Sequence, residues 1–207
     1  MFGLTTRELK LLRRLRTPQQ AQDFLNHIPI NFETTGATCL SPRRVLREGR
    51  AHCVEGALLG ALILRLQGHS PLVVDLRSVW HDDDHLVAVF RERGKWGALS
   101  KTNHAVLRYR EPIYASVHEL VMSYFHEYFT DDGRKTLRSY AGPVNLARFD
   151  ARGWITAETN LTYLNHYLDR LPHRPLLTPR QVRALRLADR IERSAGRLVE
   201  WKKPKRS

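Results

Sequence analysis

The chain has 207 residues, with 42% hydrophobic and 27% charged side chains. That is a globular composition, long enough for one domain with a real core, and it excludes wholesale disorder. Lysine and arginine number 34 against 21 acidic residues, a net charge of +13. The surplus sits at the ends: residues 1–20 carry +4 and residues 171–207 carry +8, while 21–170 is close to neutral. Basic ends of this kind are solvated surface or a weak site for an anionic partner rather than a reader of nucleic-acid sequence. Two cysteines form no disulfide framework and no paired-cysteine zinc site, which points to a reducing, cytoplasmic setting. The longest apolar run, Ala57–Leu64, is too short to span a bilayer, so no membrane insertion is expected, and Met1-Phe2-Gly3 opens no signal-peptide pattern.

Helix starts are legible as capping patterns. Thr5 to Glu8, Thr17 to Gln20, Ser116 to Glu119 and Thr178 to Gln181 read as capping boxes. Pro18, Pro42 and Pro179 each follow a Thr or Ser, as at a first helical position. Helices are predicted near 5–15, 18–27, 42–48, 52–67, 116–129, 157–170 and 179–198. Strands are predicted at 71–79, 86–91, 95–99 and 105–110, with Gly94 marking a hairpin. Helices, then a central helix, then an antiparallel sheet, then helices describe an α+β fold. A single domain is expected, with a core over about 40–130, a helical C-terminal extension over about 150–200 and a basic tail at 201–207.

The densest signal is His52-Cys-Val-Glu-Gly-Ala-Leu-Leu-Gly-Ala-Leu-Ile-Leu64. Cys53, Gly56, Ala57, Gly60, Ala61 and Leu64 share one face at helical spacing, small enough to lie close against a sheet. Cys53 opens the helix, where unpaired N–H groups and the helix dipole favour a thiolate and could stabilise an oxyanion. A free cysteine is more often a small buried hydrophobe, so a partner base is needed. His85 supplies one at the start of His85-Leu-Val-Ala-Val-Phe90, sharing a face with Val87 and Val89. The next strand, Trp96-Gly-Ala-Leu-Ser100, ends in a polar residue, and Asn103 follows three residues later.

This order resembles the transglutaminase-like superfamily of papain-like thiol enzymes, and in particular a bacterial branch of it. The Cys-x-Glu-Gly-Ala and Asp-His-x-x-Ala-Val-Phe stretches carry the likeness, which covers about residues 45–110. The resemblance implies a papain-like core, with Cys53 as nucleophile and His85 as base. The superfamily's aspartate falls on Ser100, a departure, because serine offsets no imidazolium charge. Asn103 is the alternative third group. The implied activity is hydrolysis of an amide or peptide bond, or acyl transfer, with no metal or organic cofactor required. A catalytically inactive binding module of the same fold, and a basic protein that associates with nucleic acid, are the other readings.

Several neighbours are weighed and set aside. His81-Asp-Asp-Asp-His85 invites a metal, but adjacent carboxylates in a loop point different ways. Glu55 reads as a first-turn cap, His52 as structural, His104 as a reserve polar contact and Cys39 as inert. Glu33 precedes the cysteine helix, but an ionised carboxylate cannot donate to an oxyanion. Leu120, Tyr124 and Tyr128 read as a core face, and Arg180, Arg183, Arg186, Arg190, Arg193 and Arg197 as one outward stripe.

Overall fold

The computed structural model describes residues 1–34 and 36–203; residues 204–207 of the expected basic tail lie outside it. Four helices come first: α1 (Thr6–Leu12), α2 (Pro18–His27), α3 (Pro42–Glu48) and α4 (Cys53–Leu66). Strands β1 (Leu72–Arg77), β2 (His85–Glu92), β3 (Lys95–Leu99) and β4 (Arg110–Tyr114) follow. Then come α5 (Val117–Met122), β5 (Ser139–Asn145), α6 (Thr162–Asp169), β6 (Arg174–Pro175), α7 (Pro179–Arg183) and α8 (Arg190–Gly196), with 3-10 turns at Phe125–Glu127 and Leu146–Arg152. The sheet has six strands in the order β4-β3-β2-β1-β5-β6, and every neighbouring pair is antiparallel. The α+β expectation therefore holds. No helix among the described residues is long and apolar enough to cross a membrane.

Helix starts follow the caps. Thr5 and Thr178 make complete capping boxes, and Thr17, Ser41 and Ser116 each accept from the backbone N–H three residues on. Two glycines on α4 explain its fit to the sheet. Gly60 lies where a Cβ would sit 3.3–3.4 Å from Leu99, Ala88 and Leu25. A Cβ at Gly56 would overlap the stem of Lys101.

Two apolar layers sandwich the sheet. On one face α4 buries Leu58, Leu59, Leu62 and Ile63 in a cluster that includes Leu86, Ala88 and Phe90 of β2. On the other, Val87 and Val89 pack with Leu120, Tyr124, Phe125 and Tyr128. The aromatic run after α5 is thus core, as its spacing predicts.

Other expectations are corrected. The predicted strand at 105–110 is a loop, and the ladder resumes only at Arg110. β5 passes unrecognised because Gly142 and Pro143 interrupt it; it pairs with β1 across a register shift between Val73 and Asp75, where such residues are tolerated. It also brings residues beyond 130 into the sheet, and β6 at Arg174–Pro175 sets a short strand inside the extension expected to be helical. The helix expected at 157–170 begins at Thr162, after Leu161 N–H donates to Cys39 O at 2.8 Å. The helix expected at 179–198 breaks in two, because the chain between the halves docks Ala188 N–H on Gly133 O at 2.8 Å. The arginine stripe is broken with it: Arg186 pairs with Asp189 and Arg197 with Asp131.

Candidate functional site

The first turn of α4 is built around a buried carboxylate. Glu55 is fully buried and accepts from His52 N–H at 3.0 Å, Leu40 N–H at 2.9 Å, Thr38 Oγ1 at 2.7 Å and Asn31 Nδ2 at 3.0 Å. It is a cap, as the sequence suggests, and it also ties α4 to the segment before α3. His52 is the N-cap: Nδ1 accepts from Val54 N–H at 3.2 Å, and Nε2 lies 3.2 Å from Thr38 O.

Cys53 is the first residue of α4 and is partly exposed, with Sγ 3.9 Å from Asp84 O. Strand alternation sets His85 on the face of Val87 and Val89, away from the body of α4. The two residues meet past the end of the sheet, because each opens its own element. Burial pushes the thiol up, but hydrogen bonding and charge from His52 and His85 outweigh it and hold Cys53 down at about 6. Cys39 is the contrast: burial, with Glu55 adding to it, pushes that thiol up to about 12.

His52 responds to the same sulfur. Burial disfavours its charge, yet the Cys53 thiolate and Glu55 lift its pKa to about 9. An imidazolium cannot accept from Val54 N–H, so the cap and the charge belong to different states. The neutral ring caps the helix. Ionisation of the thiol favours the charged ring.

Ser100 is held from three sides. Its N–H donates to Gln22 Oε1 at 2.9 Å, and its carbonyl accepts from Gln22 Nε2 at 2.8 Å. Its hydroxyl donates to Leu107 O. A serine has one proton to give, so at the 2.8 Å contact with His85 Nε2 it accepts. His85 is thereby fixed as the Nε2–H tautomer, with the Nδ1 lone pair free to act as base. The structure brings Cys53, His85 and Ser100 together.

Asn103 is not part of that group. Its Nδ2 donates to Trp201 O at 3.0 Å, and its Oδ1 accepts from Trp201 N–H at 2.8 Å. It ties the C-terminal segment to the loop after β3. His104 does the same through Gly196 O at 2.8 Å. Two contributors escaped the sequence reading. His52, read as structural, also acts on the Cys53 sulfur. Gln22 gave one signal, a polar residue among Ala21 and Leu25 on the buried face of α2.

A cleft of about 440 Å³ opens from the thiol and His85, lined among others by Asp83, Lys101, Phe129, Thr130 and Arg193. That volume suits a short peptide segment or a small molecule. Lys101 is buried, donates to Ile28 O at the end of α2 and is lowered to about 8 by burial. The loop carboxylates diverge. Asp84 accepts from Ser78 N–H at 2.8 Å and faces Arg77, while Asp82 accepts from Thr136. Among the described residues no three His, Cys, Asp or Glu side chains converge as metal ligands would.

Comparison of the sequence with protein-family models and with curated proteins gives no match.

Proposed function

We propose that the chain is a cysteine-dependent amide or peptide hydrolase, or an acyltransferase, with a papain- and transglutaminase-like core. The observation that carries this reading is a thiol held at about 6 beside an imidazole whose tautomer leaves Nδ1 free. His85 Nδ1 takes the Cys53 thiol proton; the thiolate attacks the substrate carbonyl carbon, a C–S bond forms, and the carbonyl π electrons move to oxygen. Beside the thiolate His52 is charged and no longer accepts from Val54 N–H, so the N–H groups of Cys53 and Val54 are first-turn donors open to that oxyanion. Collapse breaks the C–N bond, and His85 Nδ1–H gives its proton to the departing amine. His85 Nδ1 then takes a proton from water or an acceptor amine, which attacks the thioester and releases Cys53.

Ser100 in place of aspartate favours a second reading, a binding module of the same fold. A neutral hydroxyl orients the imidazole but gives its charge no counter-ion. The exposed Arg180, Arg183 and Arg190 support a weak anionic partner in either case.

The test is acylation of the purified chain with p-nitrophenyl acetate and with a panel of fluorogenic peptide amides, read by intact mass and by release of the leaving group. The proposal expects a hydroxylamine-labile adduct on Cys53 that is absent in Cys53→Ala. Identical behaviour of the wild type and Cys53→Ala would overturn it in favour of the binding module.

A further inference from the structure

We propose that Glu127 is a positioning residue for the Cys53–His85 pair, acting through Leu107 and Ser100. The inference rests on the thiol-enzyme reading and adds a residue far from the resemblance that suggested it. Leu107 is a leucine held at a φ of +59°, a left-handed conformation that L side chains rarely adopt. Two bonds hold it there. Glu127 Oε2 accepts Leu107 N–H at 2.8 Å, and Leu107 O accepts the Ser100 hydroxyl proton.

Glu127 is itself anchored. Arg110 Nη2 lies 2.7 Å from the same carboxylate oxygen. Arg110 in turn donates to Ser123 Oγ at 2.9 Å and Ser123 O at 3.1 Å, and its guanidinium stacks 4.1 Å from the centre of the Tyr124 ring. The carboxylate is therefore fixed by the second core layer, on the side of the sheet away from α4. The charged group facing Glu127 is Arg110; those acting on the thiol are His52 and His85.

The consequence concerns one proton. While Leu107 O accepts from Ser100, the hydroxyl offers His85 a lone pair and Nε2 keeps its hydrogen. Without Glu127, Leu107 relaxes to negative φ and its carbonyl turns away. The Ser100 hydroxyl can then donate to Nε2, which moves the imidazole proton to Nδ1 and removes the base. The structure also explains why 105–110 is no strand: the chain turns inward there to deliver Leu107 O.

The experiment is peptide-resolved alkylation of Cys53 by iodoacetamide across pH, in wild type, Glu127→Ala and Glu127→Gln. Glutamine keeps an acceptor for Leu107 N–H and is expected to stay within about twofold of wild type. Alanine is expected to move the midpoint from about 6 toward the free-thiol value of ~8.5 and to slow labelling at pH 7 roughly tenfold. Glu127→Leu, closer in volume, carries the same comparison if the alanine variant fails to fold. A wild-type midpoint near 6 that is unchanged in both apolar variants overturns the positioning role alone. Equal losses in Gln and Ala overturn it in favour of a purely electrostatic effect. A wild-type midpoint near ~8.5 overturns the thiol-enzyme reading and this inference with it.

Discussion

Ser100 faces His85 as an acceptor, at 2.8 Å, because its only proton is committed to Leu107 O. This sets the expected behaviour of two substitutions. Ser100→Ala removes the hydroxyl's bonds to His85 and to Leu107 O; loss of the His85 contact, about 1 kcal/mol, should slow acylation of Cys53 roughly fivefold at pH 7. Ser100→Asp should not raise activity. Its carboxylate would set a lone pair against Leu107 O, where the hydroxyl now makes a bond. Initial rates with an activated ester, compared at equal folded fraction, check both.

The two histidines at the thiol are separable. His85→Ala should abolish turnover, since no base remains to serve the leaving group. His52→Asn supplies a strong N-cap in place of the imidazole and should keep turnover while raising the thiol pKa above about 6. Rate against pH for each variant makes the distinction: loss of amplitude for His85→Ala, a shifted midpoint for His52→Asn. Equal amplitude loss in both would assign the base wrongly.

Cys53 and Cys39 should respond to pH in opposite senses. The folded-state value of about 6 for Cys53 lies below its unfolded value of ~8.5, so between them the unfolded chain holds more protons. Its contribution to stability is present above ~8.5 and is lost as pH falls through about 6. Cys39, raised to about 12, contributes fully below ~8.5 and less as pH climbs toward that value. Alkylation at pH 7 should therefore label Cys53 and spare Cys39 until urea is added. Labelling of both in the folded chain would contradict the burial of Cys39.

The parts of this arrangement that were legible in sequence are local. Caps declare themselves through short-range chemistry, so α1 to α4 begin where Thr5, Thr17, Ser41 and His52–Glu55 place them. Cys53 and His85 are legible because each opens an element. What was hidden depends on partners distant in sequence. Gln22 clamps Ser100 across 78 residues, and Asn103 turns to Trp201 across 98. β5 is masked by Gly142-Pro143, which local propensity reads as a turn and which the bulge opposite β1 accommodates. Leu107 looks like a strand residue until the carbonyl it must deliver to Ser100 is known.

Glu55 anchors the first turn of α4, and its removal should be expensive. Four donors converge on a fully buried carboxylate. Glu55→Ala strands them and should cost about 3 kcal/mol or more, since bonds to a charged acceptor contribute about 1.5–3 kcal/mol each. Glu55→Gln keeps the shape but turns an NH2 toward Asn31, Leu40 or His52, each of which is itself a donor. It should therefore recover little of the loss. Urea unfolding monitored by circular dichroism should show a lower midpoint at unchanged slope in both variants.

The two glycines of α4 make a final contrast within one helix. Gly→Ala in a helix interior gains roughly 1 kcal/mol in propensity when space allows. At Gly60 the new methyl would meet Leu99 Cδ1 at 3.3 Å and Ala88 Cβ and Leu25 Cδ1 at 3.4 Å. Leucine ends can give by a few tenths of an ångström, so propensity and crowding should nearly cancel, within about 1 kcal/mol. At Gly56 the methyl would overlap Lys101 Cβ, close to its backbone, where no rotamer change relieves the clash. Lys101 must then move, and with it Ser100, the adjoining residue. Gly56→Ala should lose about 1–3 kcal/mol despite its better propensity, and should also raise the Cys53 midpoint by disturbing the Ser100–His85 contact. A Gly56→Ala variant as stable as wild type, with an unchanged Cys53 profile, would show that Lys101 and Ser100 can shift independently of the thiol.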